Sequence, residues 1–291
     1  MPRSCALSMR AYAKINLTLD ILDKRIDGYH NISSIMQTVR LHDVVTVKLD
    51  DSERVHITCD NPDVPCDSSN LVYQVAKKMI NRAKVYKGCQ IHIQKNIPMQ
   101  AGLGGGSSDA AVVAMMLDKL LEFYMPDSHL IEYSAQFGAD VPFLITRGTA
   151  LCEGIGEEVY RMPRIPHLHV IIIKPDFGIS TPEAFKRFDE LGGYTHNHSG
   201  AFLYDFLNGR PFYGSVGNDF FRAFDDERLW RIHDALIGEG AIVASMSGSG
   251  SAMFGLFDDP EKAEFAHILL QSDFPNYQIF LTETYDCPPY L

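Results

Sequence analysis

The residues from Pro98 to Ala111, Pro-Met-Gln-Ala-Gly-Leu-Gly-Gly-Gly-Ser-Ser-Asp-Ala-Ala, carry four glycines in the five positions from Gly102 to Gly106. Such a run costs backbone entropy on folding, so something must come close to the main chain there. Ser107 and Ser108 then open an apolar helical run, Ala110 to Leu121. Backbone N–H groups and the positive end of a helix dipole therefore point at whatever fills the loop, which suits phosphate oxygens. A tight glycine turn before a helix has the same local pattern, and the loop alone does not separate the two readings.

Two further positions hold side chains able to act on a phosphate. Ala11, Ala13, Ile15, Leu17, Leu19 and Ile21 alternate with polar residues, the period of a strand with one buried face. Lys14 and Asn16 then project side by side from the other face. Asp140, in Gly138-Ala-Asp-Val-Pro-Phe143, stands where a helical turn can begin, with Pro142 allowed in its first turn. On sequence alone an Asp so placed reads first as a helix cap, and the same carboxylate can also accept a proton. Asp27-Gly28 makes a turn that presents Tyr29 and His30 just beyond it.

Spacing excludes several common phosphate and hydrolase motifs. No Lys stands where a Walker loop needs one, and Ser107 replaces the third glycine of a dinucleotide fingerprint. The protein-kinase His-Arg-Asp and Asp-Phe-Gly pair is missing, as is a Gly-x-Ser-x-Gly elbow. What does match is Pro98-x-x-x-Gly-Leu-Gly-Gly-Gly-Ser-Ser-Asp-Ala-Ala, which resembles the ATP loop of the GHMP kinases, small-molecule kinases named for galactose, homoserine, mevalonate and phosphomevalonate. Ala13-Lys-Ile-Asn-Leu17, Asp27-Gly-Tyr-His30, the triple glycine and Gly138 to Phe143 are together similar to one branch of that family. Its members phosphorylate the 2-hydroxyl of 4-diphosphocytidyl-2-C-methyl-D-erythritol in non-mevalonate isoprenoid synthesis. The matching motifs run in order from Ala13 to Ser251, nearly the whole chain.

The resemblance implies Lys14 and Asp140 as the catalytic pair. It implies an ATP loop of Pro98, Met99, Gln100, Ala101, Gly102, Leu103, Gly104, Gly105, Gly106, Ser107 and Ser108. Asn16, Tyr29, His30 and Phe185 fall at positions near the cytidine diphosphate substrate, and Ser247 to Ser251 match the family's third, glycine-rich motif. ATP enters as its Mg2+ complex, for which no protein ligand is assigned. Two departures stand out: Met36 lies where some relatives place an aromatic near the cytosine, and Asp109 where many have Asn. In this chemistry Asp140 would take the proton of the attacking hydroxyl and Lys14 would stabilise charge on the nucleophilic oxygen. Asn16 would orient the substrate, while Tyr29, His30 and Phe185 would close on its nucleotide part. A mevalonate- or homoserine-type kinase is disfavoured by Asp27-Gly-Tyr-His30 and the triple glycine. A catalytically silent ligand-sensing member is disfavoured by the presence of both Lys14 and Asp140.

The elements that must position these groups follow from composition and periodicity. The chain of 291 residues is long enough for two lobes, and its hydrophobic share of 46% is that of a globular protein. A net charge of −11 argues against nucleic acid or an anionic membrane as partner, so an anionic ligand needs local positive groups. Six scattered cysteines without a Cys-x-x-Cys pair suggest neither zinc knuckle nor redox dithiol. The first ten residues lack the apolar centre of a signal peptide, no apolar run reaches membrane-spanning length, and a cytoplasmic protein is expected.

Strands are expected at 35–41, 44–49 (entered through a turn at His42-Asp43), 55–59 and 90–94, and a capped helix from Leu71. Helices at 129–137, from Thr181 with Phe185 and Phe188, at 226–237 and at 260–271 follow, with hairpin strands at 148–153 and 157–161 and strands at 167–174, 241–246, 252–257 and 278–282. Residues 192–217 read as an aromatic loop that borders a ligand cleft. His167 with His169, and His196 with His198, suggest metal ligation, but no further ligand stands at metal-site spacing and none is expected. The architecture expected is α+β in two lobes. The resemblance implies a ribosomal-protein-S5-like ATP-binding lobe over 1–162 and a ferredoxin-like substrate-binding lobe over 163–291.

Overall fold

The structure, a computed structural model, describes residues 6–193 and 195–286; Cys5 and Cys287 lie outside them. The first half builds β1 (Ala6–Asn16), β2 (Thr18–Lys24), β3 (His30–Asp50), β4 (Val55–Cys59), α1 (Leu71–Ala83), β5 (Gly88–Gln94) and α2 (Gly105–Leu120). α3 (Asp127–Ser134), α4 (Val141–Thr146) and the hairpin β6 (Thr149–Glu153) and β7 (Glu158–Arg161) complete it. The second half runs β8 (His169–Lys174), α5 (Thr181–Glu190), α6 (His198–Leu207), β9 (Gly217–Asn218), α7 (Asp219–Phe224) and α8 (Glu227–Gly238). It ends with β10 (Val243–Met246), β11 (Met253–Phe257), α9 (Pro260–Asp273) and β12 (Gln278–Glu283).

β3 is the spine of the first sheet, whose order is β4-β5-β3-β2-β9, with β1 and β6 also paired to β3. The second sheet, β10-β11-β8-β12, is antiparallel, with α8 and α9 packed on one face through Leu229, Leu236, Ala263 and Leu270. Strand, helix, two strands, helix, strand is the ferredoxin-like arrangement. The unbroken apolar run Val170–Ile173 is explained by burial on both sides of β8. Ile171 and Ile173 meet the helices, while Val170 and Ile172 meet Ala13, Ile15 and Val39 from the first sheet.

Three local expectations are corrected. The turn at His42-Asp43 is absent, because β3 continues through it. A register shift in β1 between Tyr12 and Lys14 absorbs the irregularity, and buried Asp43 accepts hydrogen bonds from the N–H of Asn96 and Ile97. The single strand Ala11 to Ile21 is broken at Leu17, whose carbonyl accepts from Gly217 of the second half. Residues 192–217 are not all loop: they hold α6, whose first N–H groups, of His198 and Ser199, donate to the Asp20 carboxylate. The aromatics of that stretch, Phe202 and Phe212, are buried in the core between the sheets, and none of its described residues lines the cleft.

Candidate active site

A cleft of about 620 Å³ opens where β1, the glycine loop, the start of α4, α5 and the Ser247–Ser251 turn converge. Its floor is the loop. Gly104 takes a left-handed conformation (φ +71°) as the N-cap of α2, so Gly105 and Gly106 lie inside the first helical turn. The helix therefore starts five residues before the apolar run suggested. No side chain caps it and its first turn has no acid, so the N–H groups of Gly105, Gly106 and Ser107 are without intrahelical acceptors, an arrangement that suits an anion.

The loop is clamped to two other elements. Lys14 N donates to Leu103 O (3.0 Å), and Ser108 Oγ donates to Tyr12 O (2.7 Å). Ser247 Oγ donates to Gly102 O at 2.8 Å. At Gly102 (φ +73°) a Cβ would fall 1.9 Å from Ser247 O, so only glycine allows the two turns to touch.

Lys14 and Asn16 share the strand face that the alternation predicts, and Lys14 Nζ donates to Asn16 Oδ1 at 2.6 Å. Asn16 Nδ2 donates to Ser34 Oγ and its backbone N–H to Ser247 Oγ, which fixes the amide. Across the cleft, Asp140 sits at the N-cap position of α4 yet makes no capping bond. Its carboxylate is 31% exposed and lies 3.7 Å from buried Lys14 Nζ. That distance exceeds a hydrogen bond, so neither charge is used up by the other. A hydroxyl placed between them would reach a proton acceptor and a cation together.

The remaining predicted residues divide. Phe185 lines the cleft and packs edge-on against Phe220, 4.9 Å between ring centres. His30 does not line the cleft; it is buried behind Phe185, stacked on its ring at 4.8 Å, and its Nε2 is 2.8 Å from Asp189 Oδ1. Lys24 and His30 hold the Asp189 carboxyl below the usual carboxylate range. Tyr29 is 60% exposed and outside the cleft. Met36 is buried and reaches the cleft from β3.

One cation of the cleft lining was overlooked. Lys95, just ahead of the loop, is the second cation of the lining after Lys14, and it is paired with Asp43 and with Asp109 (2.9 Å). Burial works against its ammonium, but the two carboxylates outweigh that and raise its pKa. Its charge is largely spent inside the protein, which leaves Lys14 as the cation of the lining better placed to meet an anion. The need for local positive groups in an acidic chain was a signal for it; its position against the loop was not visible.

The family description "GHMP kinases N terminal domain" matches residues 70–148, and "GHMP kinases C terminal" matches residues 226–273. A 4-diphosphocytidyl-2-C-methyl-D-erythritol kinase of Clostridium botulinum (strain Eklund 17B / Type B) is 36% identical over 284 residues, covering 96% of this chain and 100% of that protein. One from Caldicellulosiruptor saccharolyticus is 38% identical over 253 residues, 86% of this chain and 87% of that protein. The crystal structure of a 4-(cytidine 5'-diphospho)-2C-methyl-D-erythritol kinase superposes with a TM-score of 0.78 at 28% identity, over 96% of this chain and 100% of that one.

Proposed function

The chain belongs to the GHMP kinase family, and we propose from that membership and from its cleft how the reaction is carried out. The enzyme is an ATP-dependent small-molecule kinase that phosphorylates the 2-hydroxyl of 4-diphosphocytidyl-2-C-methyl-D-erythritol, a step in isoprenoid precursor synthesis. The observation that carries the mechanism is the uncommitted Asp140 carboxylate 3.7 Å from buried Lys14, beside an uncapped helix N-terminus.

In this reading Pro98 to Ser108 grip ATP, with the amides of Gly105, Gly106 and Ser107 on its phosphates. Phosphoryl transfer asks chiefly for position and for neutralisation of charge. Asp140 accepts the proton of the acceptor hydroxyl, and Lys14 stabilises the oxygen as it attacks. Asn16, fixed by Ser34 and Ser247, orients that hydroxyl. Phe185 stacks on the pyrimidine, His30 supports Phe185 from behind, and Tyr29 closes from the rim. The Ser107 hydroxyl in the cleft lining is a hard oxygen donor of the type magnesium takes and would hold the ion with the phosphates. Bound there, the ion would offset the charge of the phosphates. The N-terminal lobe, 1–162, is assigned to ATP and the remainder to the acceptor, with no nucleic acid or membrane partner and a cytoplasmic setting. No helix among the described residues is long and apolar enough to cross a membrane.

ADP release with ATP and magnesium, measured beside mevalonate and homoserine as acceptors, tests the assignment. Release dependent on the cytidine diphosphate acceptor alone is expected. Equal release with mevalonate or homoserine would reject it.

A further inference from the structure

His196 and His198 have no third ligand nearby in the sequence, yet folding supplies one from 21 residues further on. Asp219, at the start of α7, places Oδ1 2.7 Å from His196 Nδ1 and 3.9 Å from His198 Nε2. The three donor atoms lie within 4.8 Å of one another. Zinc bonds of 2.0–2.2 Å in a tetrahedron set neighbouring ligand atoms roughly 3.3 Å apart, so small side-chain rotations suffice.

The site is built rather than incidental. Asp219 is fully buried, and its other oxygen, Oδ2, accepts from the Ile21 N–H at 2.8 Å, which aims Oδ1 at the imidazoles. His198 Nε2 is buried and has no hydrogen-bond partner among the described residues. The Asp20 carboxylate, also buried, accepts from the N–H of His198 and Ser199 and fixes the backbone of the second ligand. Gly217 makes room for the ring: a Cβ there would come 2.4 Å from His198 Cε1. Two buried carboxylates face this pocket, and an orphaned imidazole nitrogen points at one of them.

We propose that His196 Nδ1, His198 Nε2 and Asp219 Oδ1 bind one divalent transition-metal cation of the zinc type, with a water in the fourth position. Two imidazoles and a carboxylate are a donor set that suits such an ion better than magnesium or calcium, which take oxygen ligands. The ion clasps the chain before α6 to the start of α7 and to the edge of β2. Phe220, the next residue after Asp219, lines the cleft, so the clasp stiffens the wall against which Phe185 packs.

The test uses the full chain, untagged and stripped with chelator, with Zn2+ measured by equilibrium dialysis and Co2+ by visible absorption. One Zn2+ per chain, intense four-coordinate Co2+ bands and a Tm raised by Zn2+ are expected. His198→Gln and His196→Gln should each weaken Zn2+ binding at least about tenfold, the lower end of what even indirect partners of a metal contribute. They should also abolish the Co2+ bands and the Tm gain, with circular dichroism in chelator unchanged. His167→Gln, at the other histidine pair, should bind as the parent does. Absence of stoichiometric binding, undiminished binding by His198→Gln, or loss of it in His167→Gln would each overturn the proposal.

Discussion

A carboxylate that occupies a capping position without capping is free for other work, and Asp140 is in that position. Asp140→Asn should lower kcat by about 10²-fold or more, the scale of a lost general base, with the fold intact by circular dichroism because no capping bond is lost. Turnover near normal would remove Asp140 from the mechanism. Lys14→Arg should be equally inactive: a planar fork cannot take the place of the compact, buried ammonium that is bonded to Asn16. Asp109 makes a different case. Burial pushes its carboxyl up to about 8, against the pull of Lys95, so at lower pH it is a neutral group of the shape of Asn. The folded state then holds a proton that the unfolded chain gives up near 4. Stability must fall as pH rises through that window, because the folded state binds more protons than the unfolded one. Asp109→Asn cannot titrate and should lose less stability between about pH 4 and 8, read from urea midpoints. Parallel pH profiles for the two proteins would contradict this.

At the scale of elements, the glycine loop separates two demands that its sequence merges. Gly102 is needed because Ser247 touches it, whereas a Cβ on Gly106 meets nothing within 4 Å. Gly102→Ala should therefore destabilise the fold and expose the cleft to unfolding, seen in both Tm and activity. Gly106→Ala should hold or raise Tm, since Ala favours a helical turn by up to about 1 kcal/mol. It should also raise KM for ATP roughly tenfold, a loss of about 1.4 kcal/mol, by crowding the phosphates. An unchanged KM would mean that the amides do not grip ATP. Elements whose causes are local were legible in the sequence: the alternation that pairs Lys14 with Asn16, the loop before α2, and Pro142 in the first turn of α4. What was not legible has distant causes. α6 is capped by Asp20, 178 positions away, so no local cap announced it. His42-Asp43 resembled a turn because the use of Asp43, holding Lys95 and two amides, comes from the 95–97 segment. His30 was expected in the cleft, but stacking on Phe185 and bonding to Asp189 draw it behind the wall. His196 and His198 gained Asp219 only through the packing of α7.

Over the whole molecule, the two sheets do not keep separate cores. Ile15, Leu17 and Val39 share a buried cluster with Val170, Phe254 and Leu256. Phe254→Ala should cost about 3–5 kcal/mol and shift one cooperative unfolding transition rather than split off a C-terminal one. Fragments 1–162 and 163–291 made separately should show no sharp thermal transition of their own; two well-folded halves would show that the shared cluster is dispensable. The bond from the Asn16 N–H to the Ser247 hydroxyl has a consequence in time as well as in space. Its partners are 231 positions apart, so a ribosome completes the backstop of the strand that carries Lys14 only after it has passed Ser247. A chain cut short before Ser247 should therefore show no ADP release even though it carries Lys14, the loop and Asp140, and turnover by such a fragment would show that this backstop is dispensable.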